Sequence, residues 1–98
     1  MTPEGKVKKE TRAALDALGA WSFMPQGGAF GKGGIPDFIG CYQGKFFGIE
    51  TKSQAGRLTP LQAKAIEGIK AAGGSAGVIK PSAISTHQQV LNILEKNE

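Results

Sequence analysis

The sequence predicts an α/β domain in which a mixed sheet of about four strands is flanked by helices, in the order αβββαβα. Three observations carry that expectation. Helical apolar spacing behind a Thr-Pro start occurs twice, after Thr2-Pro3 and after Thr59-Pro60. Two apolar and aromatic runs flank Gln43-Gly44, the pattern of a two-residue β-hairpin. A Gly73-Gly74 stop precedes the small and apolar run 75–79, which reads as an interior strand.

In the first helix Thr2 is the expected N-cap, Pro3 the first helical residue and Glu4 an acid in the first turn. Val7, Thr11, Ala14, Leu15 and Leu18 recur at helical spacing, and Gly19 ends the segment. Projected on a helical wheel, Glu4 falls near the centre of that apolar stripe and Asp16 on the far side. An inward carboxylate needs a partner, and a metal site or a nearby lysine would serve. Complementing the helix dipole is an equally adequate role for Glu4.

Residues 20–24 read as a short strand. The segment that follows carries five glycines in the eight residues from Gly27 to Gly34 and is expected to be a mobile loop leading into the hairpin. It is not a phosphate-binding P-loop. Three residues separate Gly27 from Gly31, Gly33 stands where a Ser or Thr should follow Lys32, and a strand comes next instead of a helix, so no nucleotide cofactor is expected.

A two-residue loop at Gln43-Gly44 pairs Tyr42 with Lys45, and counting back along both strands sets Asp37 opposite Glu50. Strand side chains alternate, so Glu50 and Lys52 share a face and Thr51 points the other way. Facing carboxylates repel unless something positive lies between them, and a divalent cation suits that place. Gln43 is not the Asn, Asp or Gly that a type I′ turn prefers, and a bulge there would shift the register by one residue. The outer aromatics of the hairpin, Phe38, Tyr42 and Phe47, and the last helix are candidates for either a subunit interface or the core.

After a polar loop over 53–57, Thr59 and Gln62 have capping-box spacing, with Leu61, Ala65, Ile69 and Ala72 as the expected buried stripe of the second helix. Thr86 and Gln89 repeat the spacing ahead of Val90, Leu91, Ile93 and Leu94. His87, the one histidine, is expected at the surface.

Composition narrows the function. The 98 residues suit one domain, and no apolar run approaches the roughly 20 residues of a membrane span. Nor does the N-terminus read as a signal peptide, so a cytoplasmic protein is expected. The single cysteine, Cys41, argues against a disulfide scaffold or a thiolate zinc site and is expected as a small buried apolar residue. Net charge is +4, and setting aside Glu4, Asp37, Glu50 and Lys52 leaves 11 basic residues against 5 acidic. An acidic pocket in a basic surface suits a polyanion attacked at a metal.

Glu4, then Pro36-Asp37, then Glu50-Thr51-Lys52, then Gln62 on the following helix together resemble a stand-alone virus-type replication-repair nuclease (VRR-NUC) domain of the PD-(D/E)xK superfamily. The resemblance runs from Thr2 through Gly74, and it implies a restriction-endonuclease-like core. It further implies that Asp37, Glu50 and the backbone carbonyl of Thr51 hold Mg2+, with Mn2+ as a substitute, and that Glu4 reaches the one or two ions directly or through water. Lys52 would orient or deprotonate the attacking water or stabilise charge on the phosphoryl oxygens, and its acidic neighbours favour an electrostatic or water-orienting role. Gln62 would stand near the site, although a capping-box role accounts for it equally well. Lys6, Lys9, Lys32 and Arg57 are candidate DNA contacts. The family resemblance also implies a homodimer cutting branched DNA such as four-way (Holliday) junctions, and a phage or prophage setting in a bacterial cell. Two rival readings are a catalytically silent DNA-binding module with a degenerate nuclease fold, and a structural metal-binding domain that unfolds on chelation.

Overall fold

The structure is a computed structural model that describes residues 1–26 and 33–96. Its elements run α1 (Pro3–Ala17), β1 (Trp21–Phe23), β2 (Phe38–Tyr42), β3 (Lys45–Thr51), α2 (Pro60–Ala71), β4 (Ser75–Ile79) and α3 (Thr86–Leu94). The expected order αβββαβα is the observed one. Four strands form one mixed sheet in the order β1-β2-β3-β4, with β1–β2 and β2–β3 antiparallel and β3–β4 parallel.

One face of the sheet packs on α1 and α3. Phe38 of β2, Phe47 and Ile49 of β3, and Ile79 of β4 meet Val7, Ala14 and Leu15 of α1 and Val90 and Leu94 of α3 in the core. Phe38 and Phe47 therefore belong to the core and not to a subunit interface, and α3 likewise turns Val90 and Leu94 inward. Thr2 caps α1 by accepting from the Gly5 N–H at 2.9 Å, and Val7, Thr11, Ala14 and Leu15 are its buried stripe, as the spacing predicts.

Four expectations need correction. Strand β4 lies at the sheet edge, not in its interior, and reads as apolar because α2 and α3 pack against it. On α2 the deeply buried residue is Ile66, while Leu61 and Ala72 are exposed, because the helix lies on β3 and β4 by the face one residue round from the expected stripe. Ser85, not Thr86, caps α3, accepting from the Gln88 N–H at 3.1 Å. Thr86 instead donates its hydroxyl to Glu10, and Gln89 bonds both backbone groups of Lys80. Cys41 is exposed, because its strand position faces the side of the sheet away from α1 and α3. His87 is exposed as expected.

The hairpin has no bulge. Gln43 and Gly44 both take positive φ, 50° and 82°, which is the backbone a type I′ turn requires, and Tyr42 faces Lys45. The poor turn residue is overridden by the pairing of five consecutive residue pairs, which fixes which side chains face the core.

Candidate active site

The ladder ends with Phe38 facing Ile49, so the next pair outward is Asp37 and Glu50. Both stand at the end of the hairpin remote from its turn, where β3 runs on into Lys52. Two features bring the chain to this point. Gly34 has φ +84° and lies so close to the Leu61 carbonyl at the start of α2 that a side chain would collide with it. Gly48 lets Ile69 of α2 and Pro36 close over β3, where a Cβ would come within 2.6 Å of the Ile69 side chain. The segment entering Asp37 is thereby wedged between the hairpin and the first turn of α2.

Asp37 is held by its neighbour across the ladder. The Thr51 backbone N–H donates to Asp37 Oδ2 at 3.0 Å, and the Thr51 hydroxyl donates to the same oxygen at 2.6 Å. Thr51 is fully buried, so this clamp is rigid. Both bonds go to Oδ2, which leaves Oδ1 for a ligand. The sequence suggested Thr51 only through its carbonyl; its side chain is a further functional group, and the pattern carried one signal for it, a β-branched hydroxyl residue between Glu50 and Lys52. Replacing Thr51 by Val, which keeps shape but removes the donor, is expected to weaken Mn2+ binding about tenfold, with Thr51→Ser restoring most of it, as titration calorimetry can measure.

Glu50 is the most enclosed acid among the described residues, with its side chain 4% exposed. Its Oε2 accepts from Gln62 Nε2 at 3.1 Å and lies 3.8 Å from Lys52 Nζ. Its Oε1 is buried without a hydrogen-bond partner. Burial in a poorly solvating site, then the nearby Asp37 carboxylate, push the Glu50 pKa from 4.5 up to about 7. Lys52 opposes that rise, and Glu4 adds a small upward push. An acid raised by burial and a second acid, with one oxygen orphaned, is a site short of positive charge.

Gln62 serves both roles that its position allows. Its Oε1 accepts from the Thr59 N–H at 2.9 Å while its own N–H donates to Thr59 Oγ1 at 3.2 Å, completing the capping box, and its Nε2 reaches Glu50. The amide thus couples the start of α2 to the acid.

Glu4 is not inward. It is partly exposed on the first turn of α1, 3.6 Å from Lys8 one turn along the helix. It is near enough to influence Glu50 electrostatically. Among the described residues, no three His, Cys, Asp or Glu side chains converge closely enough to hold an ion by themselves. Lys6, Lys9 and Arg57 are exposed. Lys6 lines a groove between α1 and the 81–87 segment. Lys32 and the glycine run 27–31 lie outside the described residues. No helix is long and apolar enough to cross a membrane among the described residues.

A pair of carboxylates nevertheless fits a hard divalent cation. Mg2+ retains several waters and is commonly held by one or two carboxylates together with substrate phosphate. The orphaned Glu50 Oε1 and the uncommitted Asp37 Oδ1 are oxygen donors, and no sulfur or imidazole competes with them in the pair.

Neither the protein-family models nor the curated protein sequences give a match. Among solved structures, the chain is similar to one described as "VRR_NUC domain", with a TM-score of 0.71 and 24% sequence identity over 97% of each chain. This chain therefore carries the VRR-NUC nuclease-type fold over nearly its whole length, as the order of its motifs led us to expect.

Proposed function

We propose that this protein is a metal-dependent endodeoxyribonuclease that hydrolyses phosphodiester bonds in branched DNA such as four-way junctions, acting as a homodimer. The single observation that carries the reading is that Asp37 and Glu50, one step beyond the last ladder pair, lie close enough for one carboxylate to push up the other's pKa, with Lys52 3.8 Å from Glu50. On the VRR-NUC fold, that constellation supports phosphoryl chemistry over a binding role.

Asp37 and Glu50 would hold Mg2+ or Mn2+, with Glu4 reaching it through water and the Thr51 carbonyl as a further donor. A bound ion there would lower the pKa of a water, polarise the phosphate and neutralise developing charge. The protein groups set the rest. The Thr51 clamp fixes the Asp37 carboxylate in one orientation, and Gln62 does the same for Glu50. Lys52, tethered at Glu50 Oε2 and 14% exposed, places an ammonium where it can hold the attacking water or a phosphoryl oxygen. Exposed lysines and arginines, including Lys6, Lys9 and Arg57, would grip the polyanion, which makes binding salt-dependent.

The test is to incubate the protein with linear duplex, forked and four-way junction DNA, with Mg2+, Mn2+ or chelator. Metal-dependent, symmetric nicks across the junction, abolished by chelation while the circular dichroism spectrum persists, are the expected result. DNA binding without cleavage under every metal would favour the silent binding module, and unfolding on chelation would favour a structural metal domain.

A further inference from the structure

Parallel pairing brings a second lysine to the end of the sheet that holds the acidic pair. The β3–β4 ladder ends with Thr51 beside Ile79, and the Lys52 N–H donates to the Ile79 carbonyl at 3.0 Å, so the next pair outward is Lys52 and Lys80. Val78 is paired with Glu50, while Gly77 lies against Ile93 of α3 and Ile79 is in the core. Alternation therefore puts Lys80 on the side of the sheet that carries Glu50 and Lys52. Its ammonium agrees with that placement, because Lys80 Nζ donates to the Gln54 carbonyl at 3.4 Å, in the loop that follows Lys52. The backbone of Lys80 is fixed although its strand has ended. Gln89 of α3 accepts from the Lys80 N–H at 3.2 Å and donates to its carbonyl at 2.8 Å, and the same amide reaches Ser82 Oγ at 3.1 Å and the Ile84 carbonyl at 2.8 Å.

We infer that Lys80 is a second cationic group of the active site and binds the DNA phosphate next to the one under attack. Ammonium groups on paired positions repel unless an anion stands near them. Lys52 has Glu50 at 3.8 Å, whereas Lys80, partly exposed, forms no ion pair with a carboxylate among the described residues. A phosphate suits the vacancy in charge. Lysine is a point charge with three rotatable donors, so it meets phosphate oxygens without reading base sequence. Lys52 is drawn to the carboxylates, where hydrolysis is proposed; Lys80 stands one strand spacing to the side, about 4.8 Å at the backbone, and leans toward Gln54. It thus serves the neighbouring phosphate of the strand. A site built this way takes an internal linkage of a polynucleotide, with a phosphate on at least one flank of the bond. Because Gln89 fixes the strand end before DNA arrives, less order is lost on binding. The inference rests on DNA as the substrate in the proposed function and not on hydrolysis.

The test measures binding to four-way junction DNA, with chelator present and over a series of salt concentrations, for wild type, Lys80→Gln, Lys80→Arg and Lys70→Gln. Lys80→Gln is expected to weaken binding and to reduce the slope of log affinity against log salt by about 0.9, the loss of one phosphate contact, with unchanged circular dichroism. Lys80→Arg keeps the charge and should keep the slope. Lys70→Gln removes an equal charge in the last turn of α2, beside Glu67, and should leave the slope as in wild type. An unchanged slope in Lys80→Gln would overturn the inference. So would an equal loss in Lys70→Gln, which would mean that net charge alone sets the affinity, or a loss in Lys80→Arg, which would mean that the charge at this position is not what binds. DNA bound with the expected slope loss yet cut under no metal would leave Lys80 its role and count only against hydrolysis.

Discussion

Glu50→Gln is expected to abolish cleavage and, at the same time, to make the metal-free protein more stable. The substitution keeps the shape of the side chain, and its carbonyl oxygen can still accept from Gln62 and Lys52, which now approach Oε2 at 3.1 and 3.8 Å. What disappears is a buried negative charge beside Asp37, together with one of two carboxylates able to hold a cation. Loss of several kcal/mol of transition-state stabilisation corresponds to a fall in cleavage rate of about 10³-fold or more. Denaturant unfolding near pH 8 without metal should show the variant more stable by about 1–3 kcal/mol. A fall in both activity and stability would indicate that Glu50 is structural.

The second large effect is on how stability depends on pH. Folded Glu50 titrates at about 7 and the unfolded residue at its ordinary 4.5, so between those values the folded protein holds a proton that the unfolded chain has released. The contribution is fully present below 4.5 and is lost as pH rises through about 7. Its full size is about 3 kcal/mol, or roughly 10–20 °C in Tm for a domain of this length. Metal-free wild type should therefore melt lower near pH 8 than near pH 5, and Glu50→Gln should flatten that slope. Mg2+ held at this site would favour the charged form, so saturating Mg2+ should raise Tm more at the higher pH than at the lower. A Tm that climbs between those values in metal-free wild type, and equally in the variant, would contradict the origin assigned to the slope.

The fold was legible because its signals were local. Thr2-Pro3 and Thr59-Pro60 start helices through their own side chains, and Gln43-Gly44 sets a register that the apolar alternation on either side then enforces. Because Asp37 and Glu50 are related by that one turn, their convergence could be counted from the sequence, and Lys52 follows by alternation. Properties that depend on which element covers which face were not legible. The wheel for α1 placed Glu4 inward, yet its side chain is 41% exposed and pairs with Lys8 one turn along the helix. Cys41 and Leu61 look like core residues by composition but are exposed, Cys41 on the sheet face away from α1 and α3 and Leu61 in the first turn of α2. The Thr51 hydroxyl was hidden for the opposite reason: alternation sends it away from Glu50, and only the backbone approach to Asp37 at the strand end lets it reach the acid. Gln62 could not be decided because one amide has two ends, and the fold uses both.

Titrating the metal-free protein with Mn2+ and counting bound ions by electron paramagnetic resonance tests the site most directly, in wild type, Asp37→Asn and Glu50→Gln. If the facing carboxylates hold the ion, wild type binds Mn2+ saturably, Mg2+ displaces it, and each substitution weakens binding by at least about tenfold. Equal Mn2+ affinity in all three proteins would place the ion elsewhere and remove the basis for hydrolysis at Asp37 and Glu50.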